Sequence, residues 1–198
     1  NPFYGKKKIG SFGIPVPSTD VRVLEVRFGQ SGPGPELPPG EIGRMAIKGP
    51  QVMRGYWNQP KETEQVFHDG FLLTGDLVFM DEDGFFFYVD RMGDMINIGG
   101  LKVYASQVEK ILLSHPKIKD AMVTGIKDLQ MGERVAAFVT LKNDELNHQA
   151  EEASIKKEII EFCKNRLASY KVPREIEFRK ELPRSIIGKA IKRRLENN

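Results

Sequence analysis

The apolar pattern of this chain changes its period once, near residues 90–94, and this change limits the possible folds most strongly. Before it, short apolar runs are separated by turns rich in Gly, Pro and Asp, which indicates strands. After it, helical spacing and strand alternation both occur. The pattern predicts an α+β fold with two parts: a β-rich part over residues 1–91 and a small mixed α+β part over residues 92–198.

The first part carries clear strand and turn signals. Residues 21–23 alternate, and residues 45–47 follow a Gly-containing turn. Residues 77–80 connect to residues 85–89 through the polar segment Asp-Glu-Asp-Gly, which predicts a hairpin. Four prolines and four glycines lie between residues 28 and 40, so this segment is expected to be a surface loop.

The second part is expected to open with a helix. Ser106 and Glu109 have the spacing of a capping box, and the apolar residues that follow predict a helix that ends near Ser114. Alternation then predicts strands over residues 121–126 and 135–141.

A second helix is predicted to start near Ser154. Its apolar face consists of Ile155, Ile159, Phe162 and Cys163. Cys163 is therefore predicted to be a core residue rather than a reactive thiol. Because it is the only cysteine, the chain has no internal disulfide and no thiolate zinc cluster, which fits a reducing compartment.

Length and composition narrow the class of protein. The chain has 198 residues, 40% hydrophobic and 29% charged, which allows a packed core and excludes a collagen-like or disordered chain. Its longest aromatic run, residues 85–89, is far shorter than the roughly 20 apolar residues that cross a bilayer. No signal peptide opens the sequence. We expect a cytoplasmic protein without a transmembrane segment.

The net charge of +3 is concentrated near the C-terminus. The cationic residues there are Lys189, Lys192, Arg193 and Arg194. They could bind an anionic partner or form a solvated helix end. No aromatic residue alternates with them for base stacking, so nucleic acid is not the expected partner.

Six stretches occur in an order that is highly specific. They are GSFGIPVPSTDVRVLE, GEIGRMAIKGPQVMRGYWNQPKET, LLTGDLV, DRMGDMINIGGLKVYASQVE, YKVPREIEF and LPRSIIGKAIKRRL. Together they resemble the adenylate-forming superfamily of acyl-CoA synthetases, luciferases and peptide-synthetase adenylation domains. The residue pattern of the fourth stretch is most similar to the fatty-acyl-CoA synthetase branch. The resemblance implies a distorted, barrel-like β-rich subdomain, which belongs to the large AMP-binding domain, followed by a mobile C-terminal lid domain.

The resemblance implies that Asp76 and Arg91 bind the nucleotide. In the family, the Asp of the Thr-Gly-Asp motif accepts hydrogen bonds from both ribose hydroxyls of ATP, a task suited to an ionised carboxylate. The family arginine also reaches the nucleotide. From the residues alone, Asp76 could instead cap a turn, and Arg91 could pair with Asp90 or Asp94.

Lys189, which follows Gly188, matches the family's catalytic lysine. This ammonium stabilises the negative charge that develops when a carboxylate attacks the α-phosphate of ATP. Gly188 would allow close approach of the backbone. The resemblance therefore makes Lys189 both catalytic and nucleotide-binding.

A glycine hairpin is implied to line the channel for the pantetheine arm of coenzyme A. Its residues are Gly99, Gly100, Leu101 and Lys102. Lys102 lies where many relatives place an arginine or asparagine, and it is expected to take part in both nucleotide and coenzyme A binding. Lys171 matches a further coenzyme A contact. From the residues alone, Gly99 and Gly100 also fit a plain two-residue turn between Ile96 and Val103, and both interpretations can hold together.

The position of the family's hinge residue, usually Asp or Lys, holds Gly93 here. Glycine permits large φ and ψ changes, so rotation of the lid domain is still expected, with less bias towards one orientation. The phosphate loop, the magnesium-holding pair and the acyl pocket of the family match nothing in this chain. The chain is therefore expected to need an N-terminal part of the same enzyme and to be inactive alone.

The expected function is that of a fragment of an ATP-dependent acyl-CoA ligase. It would use a medium- or long-chain fatty acid, ATP, Mg²⁺ bound outside this chain, and coenzyme A. The alternatives are an aryl-CoA ligase, an adenylation domain that loads a carrier protein, and, in a different class, a non-catalytic interaction module with a basic tail. No metal-ligand set is predicted within the chain.

Overall fold

The computed structural model describes residues 5–27, 32–142, 149–184 and 191–192. The chain divides into two compact units, Asn1–Gly93 and Asp94–Asn198, so the division falls close to the change in apolar period. The assignment of these units to an AMP-binding domain and a lid domain stays a prediction. The mixed α+β class is confirmed.

The first unit is an antiparallel sheet with one short helix, α1 (Pro60–Val66). Its described strands are β1 (Ser11–Gly13), β2 (Asp20–Leu24), β3 (Gly43–Lys48), β4 (Phe67–His68), β5 (Phe71–Met80) and β6 (Phe86–Arg91). The strand order is β1-β6-β5-β3-β2, and β4 also pairs with β5. No described pairing joins β1 to β2. The predicted strands over residues 21–23 and 45–47 are confirmed.

The predicted hairpin between β5 and β6 is also confirmed. Asp81 shapes its loop, because its carboxylate accepts hydrogen bonds from the N–H groups of Asp83 and Phe85 at 3.0 Å each. Gly84 has φ +79°, which a residue with a side chain rarely adopts. The strands remain paired because their inward side chains, such as Val78 and Phe86, are buried.

The second unit places two helices against a mostly antiparallel sheet. Its described elements are β7 (Met95–Ile98), β8 (Leu101–Tyr104), α2 (Ala105–Leu113), β9 (Ile118–Asp128), β10 (Gly132–Leu141), α3 (Gln149–Lys164) and β11 (Glu175–Phe178). The order β11-β10-β7-β8 is completed by β9, which pairs with β10. The β10–β11 pair is parallel because α3 lies between these strands in the chain.

The second unit contains two buried apolar clusters, and both predicted helices contribute to the larger one. Fully buried members include Val103, Val108, Leu112, Val123, Val139, Ile159 and Cys163. Burial raises the pKa of the Cys163 thiol to about 11, as expected of an unreactive core residue. Within the described ranges, every helix is too short or too polar to cross a membrane.

The start of each large helix differs from its prediction. The N-cap of α2 is Tyr104, the last residue of β8, and it makes no side-chain cap. Ser106 therefore lies inside the first turn, and the predicted capping box is wrong. Helix α3 begins at Gln149 rather than near Ser154. Its added residues are mostly polar and acidic, which suits a helix N-terminus but leaves no apolar periodicity.

Candidate functional site

Asp76 and Arg91 lie directly opposite each other on β5 and β6. The Nε atom of Arg91 is 3.3 Å from Oδ1 of Asp76. The described contacts of the Asp76 carboxylate are with this arginine rather than with a turn. Asp90 instead accepts a hydrogen bond from the backbone N–H of Arg91 at 2.9 Å. The sheet thus brings together two residues that are 15 positions apart in the sequence, and an acid and a base share one patch.

Thr74 and Arg44 fix the backbone that carries Asp76. The hydroxyl of Thr74 donates to the carbonyl of Met45 at 2.8 Å and accepts from the N–H of Asp76 at 3.2 Å. Arg44 donates to the carbonyls of Thr74 and Leu73 at 2.7 and 3.1 Å, and burial lowers the pKa of its guanidinium. Register shifts in the pairing of β5 with both neighbours mark an irregular strand here.

Tyr88 joins this patch and was not indicated by the sequence. Its pKa is raised by burial of the phenol and by the negative charges of Asp90 and Asp76, while the nearby Arg91 guanidinium opposes the rise. Tyr88 is two strand positions before Asp90, on the same strand as Arg91. The patch can therefore offer an acceptor carboxylate, a guanidinium donor and a phenol, a set suited to the hydroxyls and oxygens of a nucleotide sugar.

Gly99 and Gly100 form a two-residue turn between β7 and β8, in which Ile98 pairs with Leu101. Their φ angles are +56° and +89°, the values of a type I′ turn that strongly prefers glycine. A Cβ on Gly100 would meet no atom within 4 Å, so backbone conformation rather than space requires glycine there. The plain-turn interpretation is confirmed, and it leaves the coenzyme A role a prediction.

Both amides of this turn have hydrogen-bond acceptors. The N–H of Gly99 donates to the carbonyl of Met131 at 2.8 Å, and the N–H of Gly100 donates to Oδ1 of Asn97 at 2.9 Å. Leu101, the first residue after the turn, is 47% exposed. Lys102 is half-buried and lies opposite Asn97. The turn is thus an exposed but well-restrained feature of the second unit.

Lys171 belongs to a short 3-10 turn, Ser169–Lys171. Its ammonium donates to Oε1 of Gln107 on α2 at 3.0 Å and lies 5.8 Å from the ring centre of Tyr170. Hydrogen bonding to a neutral amide leaves its positive charge uncompensated. Lys171 therefore remains suited to an anionic ligand.

Gly93 lies in the 3-10 turn Met92–Asp94 at the division between the units. Its φ lies outside the left-handed region, and a Cβ on it would meet no atom within 4 Å. Neither space nor backbone conformation requires glycine in this arrangement. The hinge role of Gly93 stays a prediction.

Gly188 and Lys189 lie outside the described residues, but the residues that flank them are described. The N–H of Ile191 donates to the carbonyl of Pro183 at 2.9 Å. The ammonium of Lys192 lies 2.9 Å from Oε1 of Glu109 and 3.7 Å from Oδ2 of Asp94.

Lys192 is a structural residue that the sequence did not reveal. Its side chain is only 12% exposed. Oε1 of Glu109 also accepts from the N–H of Val123 at 2.9 Å. Lys192 is therefore engaged in an internal ion pair and does not face solvent.

A metal site is not formed by the described residues, in which no three His, Cys, Asp or Glu side chains gather closely enough to hold an ion. Two acidic side chains described above are paired with cationic side chains. Asp76 faces Arg91, and Glu109 faces Lys192.

Two family models match the chain. Residues 2–57 match a model described as AMP-binding enzyme, and residues 107–189 match one described as AMP-binding enzyme C-terminal domain. The ranges together span more than half of the chain. Lys171 and Lys189 lie inside the second range, whereas the candidate residues from Asp76 to Lys102 lie between the two.

Relatives with known names are similar over almost the whole chain. A long-chain-fatty-acid–CoA ligase of Bacillus subtilis is 44% identical over 195 residues, which is 98% of this chain and 33% of the relative. A 2-succinylbenzoate–CoA ligase of Geobacillus kaustophilus is 39% identical over 195 residues, which is 98% of this chain and 37% of the relative.

A solved structure shares the fold. The ATP-bound RpMatB-BxBclM chimera B1 has a TM-score of 0.87 and 34% identity, covering 99% of this chain and 37% of that one. The chain thus spans about a third of the length of the curated relatives it matches.

Proposed function

The chain belongs to the adenylate-forming family of AMP-binding enzymes, as its motifs predict, and on this premise we propose that it is part of an ATP-dependent acyl-CoA ligase. The observation that carries the proposal is the cross-strand pair of Asp76 and Arg91. An acceptor-only carboxylate beside a guanidinium is the arrangement that would hold a ribose diol and orient its phosphates.

The proposed reaction has two steps. In the first, a carboxylate oxygen of the acid attacks the α-phosphorus of ATP, a new P–O bond forms, and the bond to pyrophosphate breaks. Asp76 accepts hydrogen bonds from the ribose hydroxyls, Arg91 donates to nucleotide oxygens, and Lys189 stabilises the charge that develops on the α-phosphate. The Mg²⁺ of this chemistry would be held by residues outside this chain.

In the second step, the thiol of coenzyme A attacks the acyl carbonyl carbon. The C–S bond forms, the C–O bond breaks so that AMP leaves with the bonding electron pair, and the thiol proton passes to solvent. Gly99 and Gly100 expose bare backbone along which a thin pantetheine arm can pass. Lys102 and Lys171 supply positive charge for the phosphates of coenzyme A, and Lys102 is also within the proposed nucleotide site.

We further propose that Gly93 is the hinge about which the second unit turns between the steps. The two steps require different groups beside the same acyl carbon, and a moving unit can supply each in turn. Glycine at this position is compatible with a change of backbone angles, because it lacks the side chain that limits φ and ψ in other residues.

The proposed acid is a medium- or long-chain fatty acid. The motif at residues 90–109 resembles that of fatty-acyl-CoA synthetases, which agrees with the named function of the Bacillus relative. An aryl acid is the second candidate, supported by the similarity to a 2-succinylbenzoate–CoA ligase. Loading of a carrier protein, or a non-catalytic binding role, has no specific observation in its favour. A cytoplasmic location remains part of the proposal.

The test uses a longer protein that contains this chain. ATP–pyrophosphate exchange is measured with a panel of fatty and aryl carboxylic acids, and thioester formation is then measured with coenzyme A. Exchange that depends on a fatty acid, followed by thioester formation, supports the proposal. Exchange with aryl acids alone supports the second candidate, and absence of exchange with every acid contradicts both. The isolated chain of 198 residues is expected to catalyse neither step.

A further inference from the structure

Glu133 reaches across the second unit to a backbone group near the glycine turn. It lies near the start of β10, and its Oε2 atom accepts a hydrogen bond from the N–H of Asn97 on β7 at 2.6 Å. The two residues are 36 positions apart in the sequence. A charge-assisted bond of this length is among the stronger hydrogen bonds in proteins. Glu133 therefore ties the strand before the turn to β10.

Gly125 on β9 leaves the space that Glu133 occupies. A Cβ built on Gly125 would lie 2.7 Å from Oε1 of Glu133 and 3.0 Å from Cγ2 of Ile96. The φ angle of Gly125 lies outside the left-handed region, so the backbone would accept an alanine here, but its Cβ would displace the flexible end of the Glu133 side chain. The absence of a side chain at 125 and the carboxylate at 133 are thus two parts of one arrangement.

The same strand end also holds the turn directly. Asn97, whose N–H binds Glu133, uses its side-chain oxygen to accept from the N–H of Gly100. The carbonyl of Met131, two residues before Glu133, accepts from the N–H of Gly99. Both amides of the turn are therefore restrained by Asn97, which Glu133 contacts, and by Met131, which Glu133 follows by two residues.

We propose that Glu133 is a positioning residue for thioester formation, acting through Asn97 on the Gly99–Gly100 turn. The inference rests on the proposed function, in which this turn lines the path of the pantetheine arm. Two adjacent glycines have the greatest backbone freedom of any dipeptide, so their position depends on outside restraints. A misplacement of about 1 Å can reduce the rate of a positioned reaction about 10²-fold.

The first test compares the two half-reactions in the longer protein. Glu133→Ala removes the acceptor, whereas Glu133→Gln retains an acceptor oxygen. We expect Glu133→Ala to slow thioester formation from supplied acyl-adenylate about 10- to 100-fold, to leave ATP–pyrophosphate exchange within about twofold, and to be largely rescued by Gln. Glu161→Gln is the matched control, because Glu161 lies on α3 and is 63% exposed. Equal loss of both half-reactions, or no loss of either, overturns the proposal.

A double-mutant cycle tests whether Gly125 and Glu133 act together. Gly125→Ala should displace the carboxylate and slow thioester formation in the native background. In the Glu133→Ala background the same change should add less than a twofold effect, because the displaced group is already gone. Independent, multiplying effects would show that Gly125 acts by another route and would contradict the arrangement.

Hydrogen–deuterium exchange on the 198-residue chain provides a readout that needs no activity. Glu133→Ala should speed exchange at the amides of Asn97 and Gly100, and Glu133→Gln should do so much less. Faster hydrogen–deuterium exchange at these amides, with both half-reactions intact, would refute the positioning role while leaving the proposed function standing. Absence of ATP–pyrophosphate exchange in the unsubstituted longer protein would instead refute the proposed function.

Discussion

Replacing Asp76 with asparagine separates the nucleotide role of this side chain from its contribution to folding. The side chains of Asp76 and Arg91 are 30% and 62% exposed, and their ion pair spans 3.3 Å. A pair this exposed contributes only about 0–1 kcal/mol to stability, because water and salt screen it. We therefore expect Asp76→Asn to change the free energy of unfolding by less than about 1 kcal/mol.

The expected effect on the nucleotide is larger. A hydrogen bond to a charged group contributes about 1.5–3 kcal/mol, and the asparagine amide retains one acceptor oxygen for two ribose hydroxyls. Loss of one charge-assisted bond predicts a rise in the KM for ATP of roughly 10- to 150-fold, since about 1.4 kcal/mol corresponds to a factor of ten. Stability and nucleotide affinity should thus respond very differently to one substitution.

The assay is ATP–pyrophosphate exchange by the longer protein at saturating fatty acid, with thermal unfolding measured in parallel. Asp83→Asn is the matched control, because Asp83 is on the loop that joins the same two strands. Lys6 and Lys8 lower the pKa of its carboxyl to about 2, so it is ionised at neutral pH, and it belongs to a separate ion-pair cluster. An unchanged KM in Asp76→Asn, or an equal rise in Asp83→Asn, would refute the assigned role.

Three further predictions concern the second unit. Burial lowers the pKa of His115 despite the nearby Glu158 carboxylate, so the unfolded chain takes up a proton at a higher pH than the folded chain. Urea titrations should therefore show the free energy of unfolding falling as the pH drops below about 6.5, and falling less in His115→Gln. Lys192→Met should destabilise this unit by about 1–3 kcal/mol in urea unfolding followed by circular dichroism, whereas adding Glu109→Gln should recover part of the loss. Cys163 should resist maleimide in the folded chain and react in urea, and rapid labelling without denaturant would contradict its buried environment.

Local patterns determined much of the fold. Alternation identified β2, because side chains of a half-buried strand point to opposite faces at every second residue. Gly-containing turns identified β3 and the β5–β6 hairpin. Two successive glycines between apolar runs identified the β7–β8 turn, since few other residues adopt positive φ there. The family was recognised for the same reason, because each of the six motifs is a short stretch whose residue spacing can be identified without knowing the rest of the structure.

The starts of the helices were predicted less well than the end of α2, because their determinants are partly tertiary. The Ser106 to Glu109 spacing indicated a cap, yet β8 runs directly into α2 and Glu109 turns instead to Val123 and Lys192. The polar start of α3 had no apolar period to detect. A sequence pattern records which residues suit a helix, but not which neighbours satisfy its first turn.

Only the tertiary structure decided which charges meet. Arg91 had three carboxylates within reach along the chain or across the hairpin, and the register of β5 against β6 selected Asp76. Likewise, the contact of Glu133 with Asn97 and the space left at Gly125 arise from three strands meeting in one sheet. The sequence was sufficient to identify the candidate nucleotide- and coenzyme A-binding residues. Their ion-pair and hydrogen-bond partners could not be predicted, because these depend on distances between residues far apart in the chain.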